Sequence, residues 1–302
     1  MEKVPAFQKT RIAPTPSGYL HLGNVLSFAL TAELARRSGA RILLRIDDLD
    51  RQRVQPAYIQ DIFDTLQFLE IPWHEGPRTA QEFEREYSQV HRMELYKAAL
   101  VELVEKDAVF ACSCSRSKLA ADGGEAYRGT CLLQTIALDG PDMNWRLYTS
   151  LDRKLRVHTW PNDSRDAVLP ASMQYFVVRK RDGFPAYQLT SVVDDRHFGV
   201  DLVVRGADLW PSTLAQVYLA SILQEESFLQ TTFNHHPLLM KQGEVKLSKS
   251  ASDTSIQYLR GAGKRPADVY TMIAHMLHHE GTINNWQELG GLVLGENSRP
   301  AS

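Results

Sequence analysis

Near the start of the chain a short run from Thr10 to Ala13 gives way to a proline-containing polar loop. Val25, Leu26, Phe28, Ala29, Leu30, Leu34 and Ala35 then recur at helical spacing until Ser38-Gly39. That order predicts strand, loop and helix. Arg41 to Ile46 predicts a buried strand, and Ile59, Ile62, Phe63, Leu66 and Leu69 predict a second helix, opened near Pro56 and closed before Pro72. One long helical pattern follows from about Thr79 to Lys106. From Phe110 to about Ser172 the texture changes to short β-like runs, Trp145 to Tyr148 and Leu155 to Trp160, set among turn clusters such as Asp122-Gly123-Gly124 and Asp139-Gly140-Pro141. The earlier rhythm returns with a strand at Tyr175 to Val178, a helix from near Pro185, a strand at Leu202 to Val204 and an apolar helix from Pro211 to Leu223. After Lys249 the pattern is mostly helical, and Glu296-Asn297-Ser298-Arg299-Pro300 reads as a disordered tail.

Strands alternating with helices favour a parallel sheet that binds ligands beyond the carboxyl ends of its strands. The expected division is a first half of an α/β body over 1–109, an insertion over 110–172, a second half over 173–240, and a lysine-bearing loop with a helical segment over 241–302. Composition adds little beyond an ordinary soluble enzyme: 43% hydrophobic and 23% charged residues, with a formal net charge of −2. Nucleic acid would therefore have to be held by a local patch. No apolar run approaches a membrane span, the first residues lack the order of a secretion signal, and three cysteines argue against a disulfide framework, so a cytoplasmic, non-membrane protein is expected.

Chemistry concentrates in a few segments. Pro14-Thr15-Pro16-Ser17-Gly18 leads into His21-Leu22-Gly23-Asn24 at a helix start, placing an imidazole and backbone N–H groups where a phosphate could rest. Lys246-Leu247-Ser248-Lys249-Ser250 is either a solvated basic loop or a pair of ammonium groups suited to a triphosphate. Arg45-Ile46-Asp47-Asp48-Leu49-Asp50 ends a strand in carboxylates, either as a salt-bridged terminus or as a ligand contact. Arg205-Gly206-Ala207-Asp208 presents a guanidinium suited to a carboxylate, and Tyr187 is a packing aromatic or a ligand contact. Cys112-Ser113-Cys114, Tyr127 and Cys131 read as zinc ligands or as buried free thiols with a neighbouring phenol. Arg153, Lys154, Arg156, Arg165, Arg179, Lys180 and Arg181, with Trp145, Trp160 and Tyr148, are a candidate RNA surface or a solvated one.

Taken in order, Arg11 to Gly18, His21 to Asn24, Arg45 to Asp50 with Arg53, Ala186 to Leu189, Val204 to Asp208 and Lys246 to Ser250 resemble the class I glutamyl-tRNA synthetases over most of the chain. The resemblance implies a Rossmann-type α/β catalytic domain with a zinc-bearing insertion and a short C-terminal helical segment. It implies ATP-dependent formation of glutamyl-adenylate, with His21 and Lys249 catalytic and with Pro14, His21, Gly23, Asn24, Lys246, Ser248 and Lys249 holding ATP and its Mg²⁺. Arg11, Ile12, Ala13, Pro14, Thr15, Asp47, Tyr187 and Arg205 would hold L-glutamate, and Cys112, Cys114, Tyr127 and Cys131 would hold zinc. The family pattern has glutamate where this chain has Asp47, which draws the carboxylate back by roughly 1.5 Å. Cys114 and Tyr127 also stand one residue further apart than that pattern.

A full synthetase continues past its lysine loop with an anticodon-binding portion of domain size, whereas about 50 residues follow Lys249 here. The likeness is therefore greatest to a truncated branch of the family, whose acceptor is the queuosine base at the wobble position of tRNA(Asp). A monomer is expected. The alternatives are a minimal glutamyl-tRNA synthetase charging a 3′ end, a small-molecule adenylate-forming or nucleotidylyl enzyme, and a non-enzymatic RNA- or nucleotide-binding module.

Overall fold

The structure is a computed structural model that describes residues 6–114, 127–241, 245–246 and 255–295. In chain order its main elements are β1 (Lys9–Ile12), α1 (Leu22–Ser38), β2 (Arg41–Leu44), α2 (Pro56–Phe68), α3 (Met93–Glu105), β3 (Val109–Cys112), β4 (Asn144–Leu147), β5 (Lys154–Thr159), β6 (Asp163–Val168), β7 (Val177–Arg179), α4 (Tyr187–Phe198), β8 (Leu202–Gly206), α5 (Trp210–Ile222), β9 (Thr232–His236), β10 (Met240–Lys241), β11 (Val245–Lys246), α6 (Ile256–Gly261), α7 (Pro266–Met276) and α8 (Trp286–Leu294). They form two compact units, one of Met1–His91, Leu202–Ala207 and Asn234–Ser302, the other of Arg92–Asp201 and Asp208–Phe233. Among the described residues no helix is long and apolar enough to cross a membrane.

In the first unit β1 pairs in parallel with β2 on one side and β8 on the other. Parallel strands need crossover connections, and α1 supplies the one between β1 and β2. The helix begins where His21 and Asn24 cap it reciprocally and stops at Gly39, whose φ of 79° is the left-handed turn that glycine adopts without strain. Ile12, Val25, Leu26, Leu30, Leu34, Ile42, Leu44, Ile62, Phe63 and Leu66 form the buried interior between sheet and helices. α8 lies so close to α1 that a Cβ on Gly290 would fall 2.4 Å from the Cβ of Glu33.

The second unit has two sheet segments. β3, β4 and β7 form an antiparallel sheet in that order, and β5 pairs antiparallel with β6 and parallel with the start of β9. α3 and α4 are joined by a buried fork: both carboxylate oxygens of Asp194 accept from Arg92, at 2.8 and 3.1 Å, while Tyr96 donates its hydroxyl at 2.8 Å.

Four expectations need correction. The strand expected from Arg41 to Ile46 ends at Leu44, because the next amides turn to the loop after β1: Arg45 N–H donates to the Ile12 carbonyl and Asp47 N–H to that of Pro14. The single helix expected from Thr79 to Lys106 is broken. A turn at Ala80–Glu82 passes through a π turn and a 3-10 turn before α3, since Asp48, which also accepts from the Ser88 hydroxyl, takes the Gln89 N–H that a continuous helix would use. The strand expected at Tyr175 begins two residues later, because Tyr175 has a φ of 52°. β6 was not anticipated: Asp163-Ser164-Arg165-Asp166-Ala167-Val168 is mostly exposed and has too little apolar alternation to announce a strand. The tail from Glu296 lies outside the described residues.

Candidate functional site

The parallel sheet of the first unit gathers most of the residues expected to hold glutamate at one end. Ala13, Pro14 and Thr15 follow β1, Asp47 follows β2, and Arg205 is the penultimate residue of β8. Arg11 and Arg205 are both buried, and the Arg11 guanidinium reaches the Val204 carbonyl at 3.5 Å. Buried guanidinium groups at the carboxyl ends of parallel strands suit a ligand carboxylate.

Asp47 is held from within its own motif. Arg45 donates through Nε to Oδ1 at 2.8 Å and through a terminal nitrogen to Oδ2 at 3.1 Å. This two-point clamp fixes the carboxylate plane before any ligand arrives. The sequence reading quoted Arg45 but gave it no role; a guanidinium two positions before an acid on a strand end was the available signal. Asp48 is fully buried and serves architecture, accepting from Arg51, Ser88 and Gln89. Asp50 is exposed.

The histidine loop is fixed just as closely. His21 Nδ1 accepts from the Gly23 N–H at 3.1 Å, and Asn24 Oδ1 accepts from the His21 N–H at 3.0 Å. With Nδ1 accepting, the neutral ring carries its hydrogen on Nε2, a donor beside the first amides of α1. A Cβ on Gly23 would lie 3.0 Å from the His21 ring, so this glycine first makes room for the imidazole that caps its own helix. One turn on, the Ser27 hydroxyl lies 2.7 Å from His236 Nε2, whose Nδ1 donates to the Pro237 carbonyl at 2.9 Å, a pairing the sequence reading missed.

The chain after the lysine loop returns to this place. Ser255 forms an antiparallel bridge with His21, and Ile256 N–H donates to the Leu20 carbonyl at 2.7 Å. Leu20 N–H donates to Asp61 at 3.1 Å, and Asp61 also accepts from Arg260 of α6 at 2.7 Å. Burial raises the Asp61 pKa despite the Leu20 amide and Arg260. Lys246 pairs with Met240 through the β10–β11 ladder, while Ser248 and Lys249 lie outside the described residues.

In the second unit Tyr187 opens α4 with its side chain exposed. Cys112, Cys114 and Cys131 are free, buried and gathered so that their Sγ atoms lie within 4.8 Å of one another. Sulfurs on a tetrahedral zinc at about 2.3 Å stand about 3.8 Å apart, and the Cys114 and Cys131 sulfurs are 3.6 Å apart, so the donor set fits such a metal. The Tyr127 hydroxyl accepts from the Cys131 N–H at 2.7 Å, which sets its oxygen beside the cluster. Burial opposes ionisation of Cys131, but the Ser113 backbone and hydrogen bonds from Tyr127 and the other thiols outweigh it, lowering this thiol to about 7. Cys114 is pushed up to about 12, by burial first and then by Cys131 and Cys112. Three thiols whose ionisations oppose one another are stable as a trianion only around a cation.

The candidate RNA residues are largely engaged with the chain itself. Arg179 stacks on Trp145, Arg165 on Trp210 and Arg153 on Tyr218, and Arg156 pairs with Asp166.

Comparison with known proteins agrees with this geometry. Residues 8–136 and 156–289 match the family described as tRNA synthetases class I (E and Q), catalytic domain. The glutamyl-Q tRNA(Asp) synthetase of Symbiobacterium thermophilum is 34% identical over 287 residues, covering 91% of this chain and 87% of that protein. Glutamate–tRNA ligase 2 of Nitrosococcus oceani is 30% identical over 288 residues, 90% of this chain and 59% of its own length. Among solved structures, the glutamate–tRNA synthetase of Elizabethkingia anophelis superposes with a TM-score of 0.69 at 21% identity, over 94% of this chain and 65% of that one.

Proposed function

The chain belongs to the class I tRNA synthetases (E and Q), and we propose that within this family it joins glutamate to AMP and passes the glutamyl group to queuosine in tRNA(Asp). The observation that carries the choice of branch is the 34% identity to a glutamyl-Q tRNA(Asp) synthetase over 91% of the chain. The clustered Cys112, Cys114 and Cys131 beside Tyr127 support it.

The chemistry follows from the site. A glutamate α-carboxylate is already ionised near neutral pH, so its attack on the α-phosphorus of ATP requires no general base. A C–O–P bond forms, the bond to pyrophosphate breaks, and negative charge gathers on the departing group. The His21 Nε2–H and the first amides of α1 supply donors for that charge, joined by Lys246 and Lys249 from the loop whose exit is bridged to His21 at Ser255. Mg²⁺ enters as the counter-ion of ATP. Arg11 and Arg205 take carboxylates of glutamate, and Asp47, oriented by Arg45, meets its ammonium group. A queuosine hydroxyl then attacks the activated carbonyl, releasing AMP and a proton.

Zinc held by the three cysteines and the Tyr127 oxygen would be structural, cross-linking the end of β3 to the segment around Cys131. Use of ATP and tRNA suits a cytoplasmic protein. The test is glutamate-dependent pyrophosphate exchange without tRNA, followed by labelling of queuosine-containing tRNA(Asp) and nuclease mapping. Exchange with label in the anticodon arm is expected. Label confined to the 3′ end would make the protein a minimal glutamyl-tRNA synthetase, and absence of exchange would refute activation of glutamate.

A further inference from the structure

Arg146 of β4 is 6% exposed, and among the described residues its partners are a carbonyl and an aromatic face. Its guanidinium donates to the Tyr175 carbonyl at 2.8 Å, its Nε has no hydrogen-bond partner, and its central carbon lies 3.9 Å from the centre of the Tyr127 ring. A buried cation is strongly disfavoured unless a compensating charge stands near, and among the described residues one carbonyl with one aromatic face does not provide it.

The strand register identifies the source of that charge. In the antiparallel β3–β4 pair Phe110 is opposite Arg146 and Cys112 is opposite Asn144. Side chains two apart on a strand share a face, so Arg146 stands on the face of β3 that carries Phe110 and Cys112. Phe110, Cys112, Cys114, Tyr127 and Cys131 form one buried cluster, and Tyr127 touches both partners, its ring under the guanidinium and its hydroxyl on the Cys131 amide. Three thiolates around a divalent ion leave at least one net negative charge in an apolar pocket. The empty-handed cation and the anionic complex each answer the other's deficit.

We propose that Arg146 is the charge-balancing residue of the metal-loaded cysteine cluster, acting through the face of Tyr127 to hold a net anionic zinc complex in a buried site. The inference rests on the reading of zinc as the resident metal. Its distinguishing mark is opposite behaviour in two states: with metal bound Arg146 offsets a charge, and without metal it is itself the uncompensated charge.

The experiment uses the full chain stripped of metal and then titrated with zinc against a chromogenic chelator, in the wild type, Arg146→Met and Arg146→Lys. Arg146→Met is expected to weaken zinc binding about 10- to 100-fold, as outer-shell partners of metal sites do, while the thermal midpoint of the metal-free protein stays level or rises. Arg146→Lys, which keeps the charge and loses the planar stack, should fall between. Zinc affinity within twofold of wild type in Arg146→Met would overturn the proposal. So would a metal-free variant that unfolds earlier than metal-free wild type or fails to fold, because Arg146 would then be a packing residue. Wild type that takes up no zinc would instead overturn the underlying metal reading.

Discussion

The two charged centres of this molecule are balanced in different ways. At the carboxyl end of the parallel sheet the chain compensates its own charge: Arg45 forks onto Asp47, Arg260 makes a single bond to Asp61, and His21 and Asn24 close the first turn of α1 upon themselves. In the cysteine cluster the chain gathers one buried guanidinium and three buried thiols, a donor set that fits an ion. The first arrangement is a rigid frame set before substrate arrives, which is what transition-state stabilisation by fixed dipoles requires. The second, on the proposed reading, would be a fold element whose stability depends on loading.

Breaking the internal compensation is expected to have the largest effect. Arg45→Leu removes the clamp on a buried carboxylate and should cost about 3–5 kcal/mol in denaturant unfolding, with Asp47→Asn added to Arg45→Leu recovering a good part. A loss that the double variant does not reduce would show that Arg45 acts by packing and not by charge. Supplying or withdrawing the ion comes next. Zinc at a thousandfold excess over its dissociation constant stabilises by about 4 kcal/mol, so Cys131→Ala should lose metal-dependent stabilisation of that order in thermal melts with and without chelator. An unchanged dependence on metal would dissolve the contrast between the centres.

His21→Asn separates frame from chemistry, because asparagine is a good helix cap but has no donor at the Nε2 position. Pyrophosphate exchange should fall about 100-fold with the melting temperature nearly unchanged. A fall in stability alone would reduce His21 to a cap. The smallest effect concerns Glu33, buried between α1 and α8, where burial raises its pKa but Arg36 and Arg37 more than reverse this and hold it below the ordinary value. An acid with a lowered folded pKa stabilises above its unfolded value of 4.5 and loses that contribution as pH falls through the folded value. Glu33→Gln should therefore cost about 2 kcal/mol near neutrality and flatten the acid limb of the stability curve, and an acid limb identical to wild type would contradict it.

The second half of the body shows how far pattern reading carried. Leu202–Gly206 and Trp210–Ile222 appeared close to where apolar runs placed them, because continuous burial leaves a continuous apolar signature. The pattern from Thr79 to Lys106 misled because its apolar spacing is helical throughout, and only a carboxylate from a distant loop breaks it. The candidate site divides likewise. His21, Gly23, Asp47 and Arg205 were legible as motif residues, and Arg45 stood two positions from the acid it clamps, whereas Asp61, His236 and Arg146 carry no local signal of their partners.

What the sequence determined by itself was therefore the alternation of strands and helices at the start of the chain, the capped histidine loop and the set of three cysteines, since periodicity, capping and spacing are properties of neighbours along the chain. Which distant charges meet was decided by tertiary structure. Arg260 reaches Asp61, and Arg146 comes to rest over Tyr127, through contacts between segments far apart in sequence, and burial there makes an arginine's partner a matter of free energy instead of chance on a solvated surface.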